Sequence, residues 1–499
     1  MGERPEGVQA LLQPVRALLL RDEAKMALER LNFLVHTHAF REEEQWLVYD
    51  YYATCYYKLF DIENFRRYQW ACLTSPKGQS MARQQLSYSD YLFTLHYFPN
   101  VSDEEMRQAH FRYQQFTDAM EKFDHPLARH QHAKLRIGYL AAELSENVVS
   151  LFSIQLLTAF DPGRYDVYAY SVRPVEDRLT DLLRSYVKKL VFFPEDATPH
   201  ACAQSIYEDE IDVLFDLDVH ASGGRTLLVA GEKPAPVQIA GIGYMSTSGT
   251  DVFDAFLGDR YCDPPGLHDE DFAEKTILRL PSHLCYTPSE RVLRCRPTAY
   301  VPHDPIVFGS FNNFFKITDE MLAAWREILR RVPGSRMIIK NSSHKPNAMK
   351  VTRRRVLAAG IPEGAFTLED ATGDYLARYA DVDIMLDTYP YTGGGTTCES
   401  LYMGVPVVAR YGRRHGARFS YSILQNVGIG ELACRTTEEY IEKAVALASD
   451  KALLTALHAQ LPTMMQQSPV MAANAYVRTL EACYEKLFAS WRARKKEGK

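Results

Sequence analysis

The 499-residue sequence predicts an α/β protein: two Rossmann-like units in series, preceded by an all-α region. Three observations predict it. From Lys134 onward, short apolar runs alternate with helical patterns, the signature of parallel βαβ units. A proline- and arginine-rich stretch, Tyr286 to Pro305, interrupts that alternation once and reads as a linker (286–305). Before residue 133 there is no such alternation, and helix follows helix.

In the first region, 1–132, VQALLQPVRALLL and AKMALERLNFLV both have helical spacing. YYATCYYKLFDIENFRRYQW then sets small and aromatic residues at helical spacing around an Asp turn, as in one degenerate tetratricopeptide-like helix pair. Its aromatic richness reads as helix–helix packing, with a peptide groove as the alternative. SYSDYLFTLHYFPNVSDEEMRQAHFRYQQF closes the region and leads into the first strand without a flexible linker. The expectation is that these helices position an acceptor, support the first unit and stay clear of any nucleotide.

In the first α/β unit, 133–285, LRIGYLAAE, YDVYAYSV, LVFFP, IDVLFDLD, PVQIAGIGY and DAFLGD are strands. Helices lie between them at Val148–Phe160, Arg178–Tyr186 and His200–Glu208. In the second unit, 306–480, the strands are IVFGSFN, SRMIIKN, FTLED, DIMLDT and VVARYG. Its helices include Asp319–Val332, Met349–Ala359 and Ala417–Asn426. The tail is helical from Glu438, and 481–499 forms a C-terminal helix with a basic end. Two Rossmann-like domains facing across a cleft describe the GT-B architecture, in which a donor nucleotide occupies the C-terminal domain.

Composition narrows the function. A formal net charge of -6 and a pI near 6.2 argue against a general nucleic-acid binder. No apolar run approaches the ~20 residues of a membrane span. Nine cysteines without a CxxC fit free thiols in a reducing cytoplasm better than a disulfide framework or a zinc site. Cytoplasmic residence is therefore expected.

The stretch richest in chemistry is Asp387 to Pro406, DTYPYTGGGTTCESLYMGVP. It follows a buried-strand pattern and passes through three glycines into a helix. Gly394 and Gly395 let backbone N–H groups approach an anion, and the helix N-terminus adds partial positive charge. Thr396 and Thr397 offer hydroxyls to phosphate oxygens, and Glu399, in the first turn, offers a carboxylate to ribose hydroxyls. A tight βα turn with no ligand is the alternative. In FNNFFKI, Lys316 lies just past a strand end, where open α/β sheets contact ligands and a cation neutralises a departing diphosphate. A surface lysine is the other reading. Asn312 and Asn313 either bond phosphates or cap the turn.

Four further segments stand at strand ends. Asp216-Leu217-Asp218 spells DxD in the first unit, which reads as structural or acceptor-side. HASGGR brings a titratable His220 with two glycines. GIGYMSTSG, with Tyr244 and Ser246, is a glycine–hydroxyl loop that lines a cleft. In GRRHGAR, His415 and Arg418 either reach a diphosphate or cap the next helix.

KLRIGYLAAE, DVLFDLDVHASGGR, KPAPVQIAGIGYMSTSG, FGSFNNFFKIT and the stretch Asp381 to Val408 occur in one order over about residues 133–480. Together they resemble the catalytic region of the O-GlcNAc transferase and SPINDLY family, in its bacterial form. The resemblance implies an inverting, metal-independent GT-B transferase that needs no cofactor. It would move a sugar, GlcNAc from UDP-GlcNAc first among donors, to a protein hydroxyl, with an acceptor of the flagellin or adhesin kind. It gives Lys316 the diphosphate role, Gly394–Thr397 the phosphate turn and Glu399 the ribose. His220 and Tyr244 line the acceptor side with Asp218 and Ser246, and Arg418 joins the donor set with Asn312. One departure stands out: Asn147 occupies the position where the family carries a His. Proton removal then falls to His220, Asp218 or a donor phosphate oxygen. The rival readings are a non-catalytic sugar-nucleotide-binding or chaperone-like partner, and a GT-B enzyme acting on glycans or Asn side chains.

Overall fold

The computed structural model describes residues 7–295, 300–345 and 347–498. Residues 296–299 of the expected linker lie outside the described residues. Two parallel sheets form the body. The first contains β1 (Leu135–Ala141), β2 (Tyr165–Ser171), β3 (Lys189–Phe192), β4 (Val213–Asp216), β5 (Val237–Ala240), β6 (Ala255–Asp259) and β7 (Ile277–Leu280), in spatial order 3-2-1-4-5-6-7. The second contains β8 (Val307–Asn312), β9 (Arg336–Asn341), β10 (Phe366–Glu369), β11 (Ile384–Leu386), β12 (Val407–Arg410) and β13 (Ala433–Cys434), in order 10-9-8-11-12-13. Every strand pairing is parallel. Helices cover the faces, so central strands such as Val213–Asp216 are buried throughout, which is why they read as continuous apolar runs. The edge strands β7 and β13 do not stand out in the sequence, because Arg279 interrupts the apolar run of β7 and β13 has two residues.

The N-terminal helices pair antiparallel. Gln45–Lys58 and Ile62–Leu73 form the expected tetratricopeptide-like hairpin, with Asp61 capping the second helix through the Asn64 N–H. Tyr68 stacks on Tyr52 and Tyr56, at 4.5 and 5.3 Å between ring centres. The aromatic run is thus helix–helix packing, as its spacing predicts.

One boundary differs. The last helix begins at Ala473, not 481, and it crosses back to the first sheet. Its Tyr484 hydroxyl lies 3.1 Å from that of Tyr139 on β1. Glu481 accepts from the Asp161 N–H, and the Tyr476 hydroxyl donates to the His283 carbonyl. A helix that must cover an apolar sheet face is drawn to whichever sheet lacks cover, and sequence order does not decide which.

Candidate active site

Each sheet reverses its strand order once, between β1 and β4 and between β8 and β11. Loops leaving neighbouring strands diverge there and open a crevice. The expected site residues lie at these points. Asn147 follows β1, Asp218 and His220 follow β4, Lys316 follows β8, and the glycine turn follows β11.

Asp387 is the hub of the second crevice. The Gly393 N–H donates to both of its carboxylate oxygens at 3.0 Å. The Ser420 hydroxyl donates to it at 2.5 Å and lies 2.8 Å from the Thr397 hydroxyl. Asn312 Nδ2 donates to Thr388 Oγ1 at 3.2 Å and lies 3.5 Å from Asp387 Oδ1. Burial raises the Asp387 carboxyl, and these donors and Lys316 oppose the shift. The network fixes the turn so that Gly394 caps the helix Gly395–Tyr402. Among the described residues, the N–H groups of Gly394, Gly395 and Thr396 and the Thr396 hydroxyl make no hydrogen bond. That leaves donors at the positive end of a helix for an anion.

Lys316 is half-buried beside this turn. Its ammonium lies 3.3 Å from the Thr392 carbonyl and 3.6 Å from the centre of the Tyr391 ring. Burial lowers the amine to about 8, against the pull of Asp387. Glu399 is buried. It accepts from the Tyr375 hydroxyl at 2.6 Å, and the Tyr379 hydroxyl lies 3.5 Å from its other oxygen. Desolvation raises it to about 7 despite both phenols. The opposite wall comes from the first unit: a Cβ placed on Gly395 would stand 3.2 Å from Val148.

Several expected residues turn out to be structural. His220 is fully buried; its Nε2 donates to the Ser248 carbonyl and its Nδ1 accepts from the Ser89 hydroxyl, each at 2.9 Å. With both nitrogens engaged and the ring held neutral by burial, at about 3, it has no lone pair for a substrate proton. Tyr244 is buried with it, its hydroxyl 2.8 Å from His110 Nε2. Both belong to the seam with the N-terminal helices, not to an open acceptor wall. The Thr397 hydroxyl meets Ser420, and Asn312 Nδ2 is turned to Thr388 and Asp387; the Thr397 backbone N–H, like its three predecessors, makes no hydrogen bond among the described residues. Arg418 donates through Nε to the Tyr261 carbonyl of the first unit and through Nη1 to the Gly412 carbonyl, at 2.8 Å each, and so ties the two units together. Its neighbours do the same work. His415 bonds Asp263 at 2.9 Å, Arg413 pairs with Glu270 and Asp271, and Arg414 pairs with Asp103. Asn147 caps a helix, accepting from the Val149 and Ser150 N–H groups at 2.8 and 3.0 Å.

Asp218 sits at the top of the first sheet. Its Oδ2 accepts from the Ala142 N–H at 2.7 Å, and burial raises it to about 7. Ser246 is half-buried in the loop whose Met245 carbonyl accepts from the Gly416 N–H across the cleft. Among the described residues, Asp259, Cys262 and His283 bring metal-ligand atom types within 4.8 Å of one another. Asp259 already accepts from His283 Nδ1, the Cys262 N–H and Ser422 there, so a hydrogen-bonded knot at the domain seam accounts for them.

Two doubly wound sheets facing each other, with a cation and an open helix N-terminus at one switch point, form a GT-B fold. The chain belongs to glycosyl transferase family 41, whose sequence model matches residues 114–285 and 282–480. It is 33% identical over 412 residues to a probable UDP-N-acetylglucosamine–peptide N-acetylglucosaminyltransferase SPINDLY of Petunia hybrida, matching 80% of this chain and 43% of that one. The Arabidopsis thaliana counterpart is 32% identical over 415 residues, 80% and 44% of the two chains. The chain thus spans less than half the length of these curated relatives. Among solved structures it is similar to a Thermobaculum terrenum O-GlcNAc transferase variant, with TM-score 0.84 and 26% identity over 97% of this chain and 91% of that one.

Proposed function

We propose that this glycosyltransferase moves a sugar from a nucleotide-sugar donor, UDP-GlcNAc first among candidates, to a hydroxyl of a protein, with inversion and without a metal. The observation that carries the reading is the half-buried Lys316 beside the free N–H groups of Gly394–Thr396 at one strand-end crevice. Displacement at the anomeric carbon leaves a diphosphate, and its charge develops as the bond breaks. A fixed ammonium and preorganised N–H donors stabilise that charge, the part a metal takes elsewhere. Glu399 receives ribose hydroxyls. Of the chain's own candidates for the acceptor's proton, Asp218 fits better than His220. It keeps Oδ1 without a partner among the described residues, and its raised carboxyl suits a general base. The names of the relatives support the protein acceptor.

The test is intact-mass spectrometry of candidate acceptor proteins, flagellins and adhesins among them, incubated with UDP-GlcNAc, UDP-glucose or GDP-fucose in the presence of EDTA. A mass increment of one N-acetylhexosamine, hexose or deoxyhexose on a protein, matching the donor supplied, supports the reading. Strict dependence on added magnesium or manganese overturns the metal-free mechanism.

A further inference from the structure

Lys316 is flanked by two aromatic residues, and both are held from outside the two Rossmann units. Tyr391 covers its ammonium at 3.6 Å, and Tyr391 in turn packs on Tyr97 at 6.0 Å, Phe93 at 6.3 Å and His96 at 6.5 Å between ring centres. Phe315, the residue before Lys316, lies flat on Phe60 at 4.0 Å with 8° between planes, and it also meets Tyr57 at 5.5 Å and Tyr97 at 5.8 Å. Tyr57, Phe60, Phe93, His96 and Tyr97 all belong to the N-terminal helical region. The helical region thus packs against the segment of the second unit that carries Lys316.

Tyr97 is the only one of these five that meets both rings flanking Lys316. Phe60 holds a left-handed backbone, φ 59°, just past the helix Gln45–Lys58 and its cap Leu59. Its N–H donates to the Tyr57 carbonyl and the Asp61 N–H to the Tyr56 carbonyl, and this closed helix end fixes where the ring lies flat on Phe315.

We propose that Tyr97 is a positioning residue for Lys316: through Tyr97, seconded by Phe60, the helical region sets the place and the hydration of the ammonium. This rests on the diphosphate role proposed for Lys316. A lysine head on a flexible four-carbon stem seeks water unless walls hold it. Here the walls are aromatic, and the ring face attracts the cation. The other titratable groups around it are Asp387 from the end of β11, Tyr391, Tyr97 and His96. Burial raises both phenols and keeps His96 neutral, so among the described residues Asp387 is the acid opposite the amine. Desolvation is the largest influence on the amine, so opening the wall to water moves it up toward the ordinary lysine range despite the lost ring contact.

The experiment reads the amine directly, by competitive labelling of Lys316 with acetic anhydride over a pH series and peptide mass spectrometry. It is run on the full chain with kcat and donor KM alongside. In Tyr97→Ala the labelling midpoint should rise by about one pH unit or more, and kcat should fall at least about tenfold with donor KM little changed. Tyr97→Phe should restore both, because the ring acts and the hydroxyl does not. Phe60→Leu, which keeps apolar volume and loses the flat stack, should move the midpoint the same way and serves if Tyr97→Ala does not fold. An unchanged midpoint and kcat in folded Tyr97→Ala or Phe60→Leu overturns the proposal. If the midpoint moves as expected while Lys316→Ala retains wild-type turnover, the positioning stands and the diphosphate role falls instead.

Discussion

Lys316→Ala removes the cation found, among the described residues, beside the free N–H groups of the turn, and little packing with it. Turnover should drop by roughly 10²–10³, the usual worth of a preorganised charge at a leaving group, about 3–4 kcal/mol. The thermal unfolding midpoint should hold. Near wild-type turnover in this variant would take Lys316 out of the mechanism. Glu399 offers a second reading at the same scale. Its carboxyl, raised to about 7 by burial, is half ionised near neutrality, and hydroxyls donate more strongly to the ionised form, which has acceptor oxygens only. UDP affinity, measured by calorimetry, should therefore rise as pH climbs through 7 and then level off. Tyr375→Phe removes a donor that favours the carboxylate, so the midpoint should move up; Glu399→Gln should leave a flat profile. A midpoint indifferent to Tyr375→Phe would mean that another group titrates.

Among the elements, the turn between β11 and the helix Gly395–Tyr402 is the most tightly specified. A Cβ on Gly393 would stand 2.5 Å from Thr397 Oγ1, 2.7 Å from Thr396 Oγ1 and 3.0 Å from Asp387 Oδ1. Overpacking of this kind costs about 1–3 kcal/mol. Gly393→Ala should push the helix start off its place and weaken UDP binding at least about tenfold. The fold survives, so circular dichroism should be unchanged; retained UDP affinity would show that the turn does not hold the nucleotide. This turn was legible in the sequence because strand, glycines and helix follow each other along the chain. The strand-end location of Lys316, Asp218 and Asn147 was legible for the same reason: buried parallel strands are apolar runs with visible ends. What stayed hidden depends on partners far along the chain. Nothing near His220 announces Ser89, nothing near Arg418 announces the Tyr261 carbonyl, and Phe60 meets Phe315 only after both domains have folded. Asp387 and Tyr391 sat inside the quoted D-x-x-P-Y pattern, yet spacing alone does not say that one anchors the turn and the other covers the lysine.

At the scale of the molecule, the N-terminal helices are bound to the first unit by a histidine cluster. His110 and His220 are lowered by burial to about 4 and about 3, and His96 well below its ordinary value. All three are neutral in the folded protein, whereas the unfolded chain takes up protons below about pH 6.5. Their stabilising share is complete above that value and is lost as pH falls toward the folded values, by up to about 1.4 kcal/mol per pH unit for each ring. Glu399 and Asp218, raised to about 7, contribute the opposite slope over part of this range, so the share of the cluster is read as a difference between variants. In scanning calorimetry His110→Gln should lose less stability than the parent chain between about pH 6.5 and pH 4. An equal loss in the two proteins would mean that His110 is hydrated and not neutral.

The C-terminal helix that returns to the first sheet has a mechanical meaning. The backbone passes between the halves twice, outward through residues 286–305 and home again just before Ala473. A protease site inserted at Val301, 76% exposed, would cut only the outward strap. The two fragments should still elute as one particle under native conditions, because the second piece ends in a helix whose Tyr484, Phe488 and Trp491 are buried against the first. They should part only in denaturant. A chain stopped at Ala472 should fail differently, baring the face of the first sheet and aggregating before it ever separates. The protein is closed like a buckled belt, whose last inch of leather is tucked beneath the loop it started from.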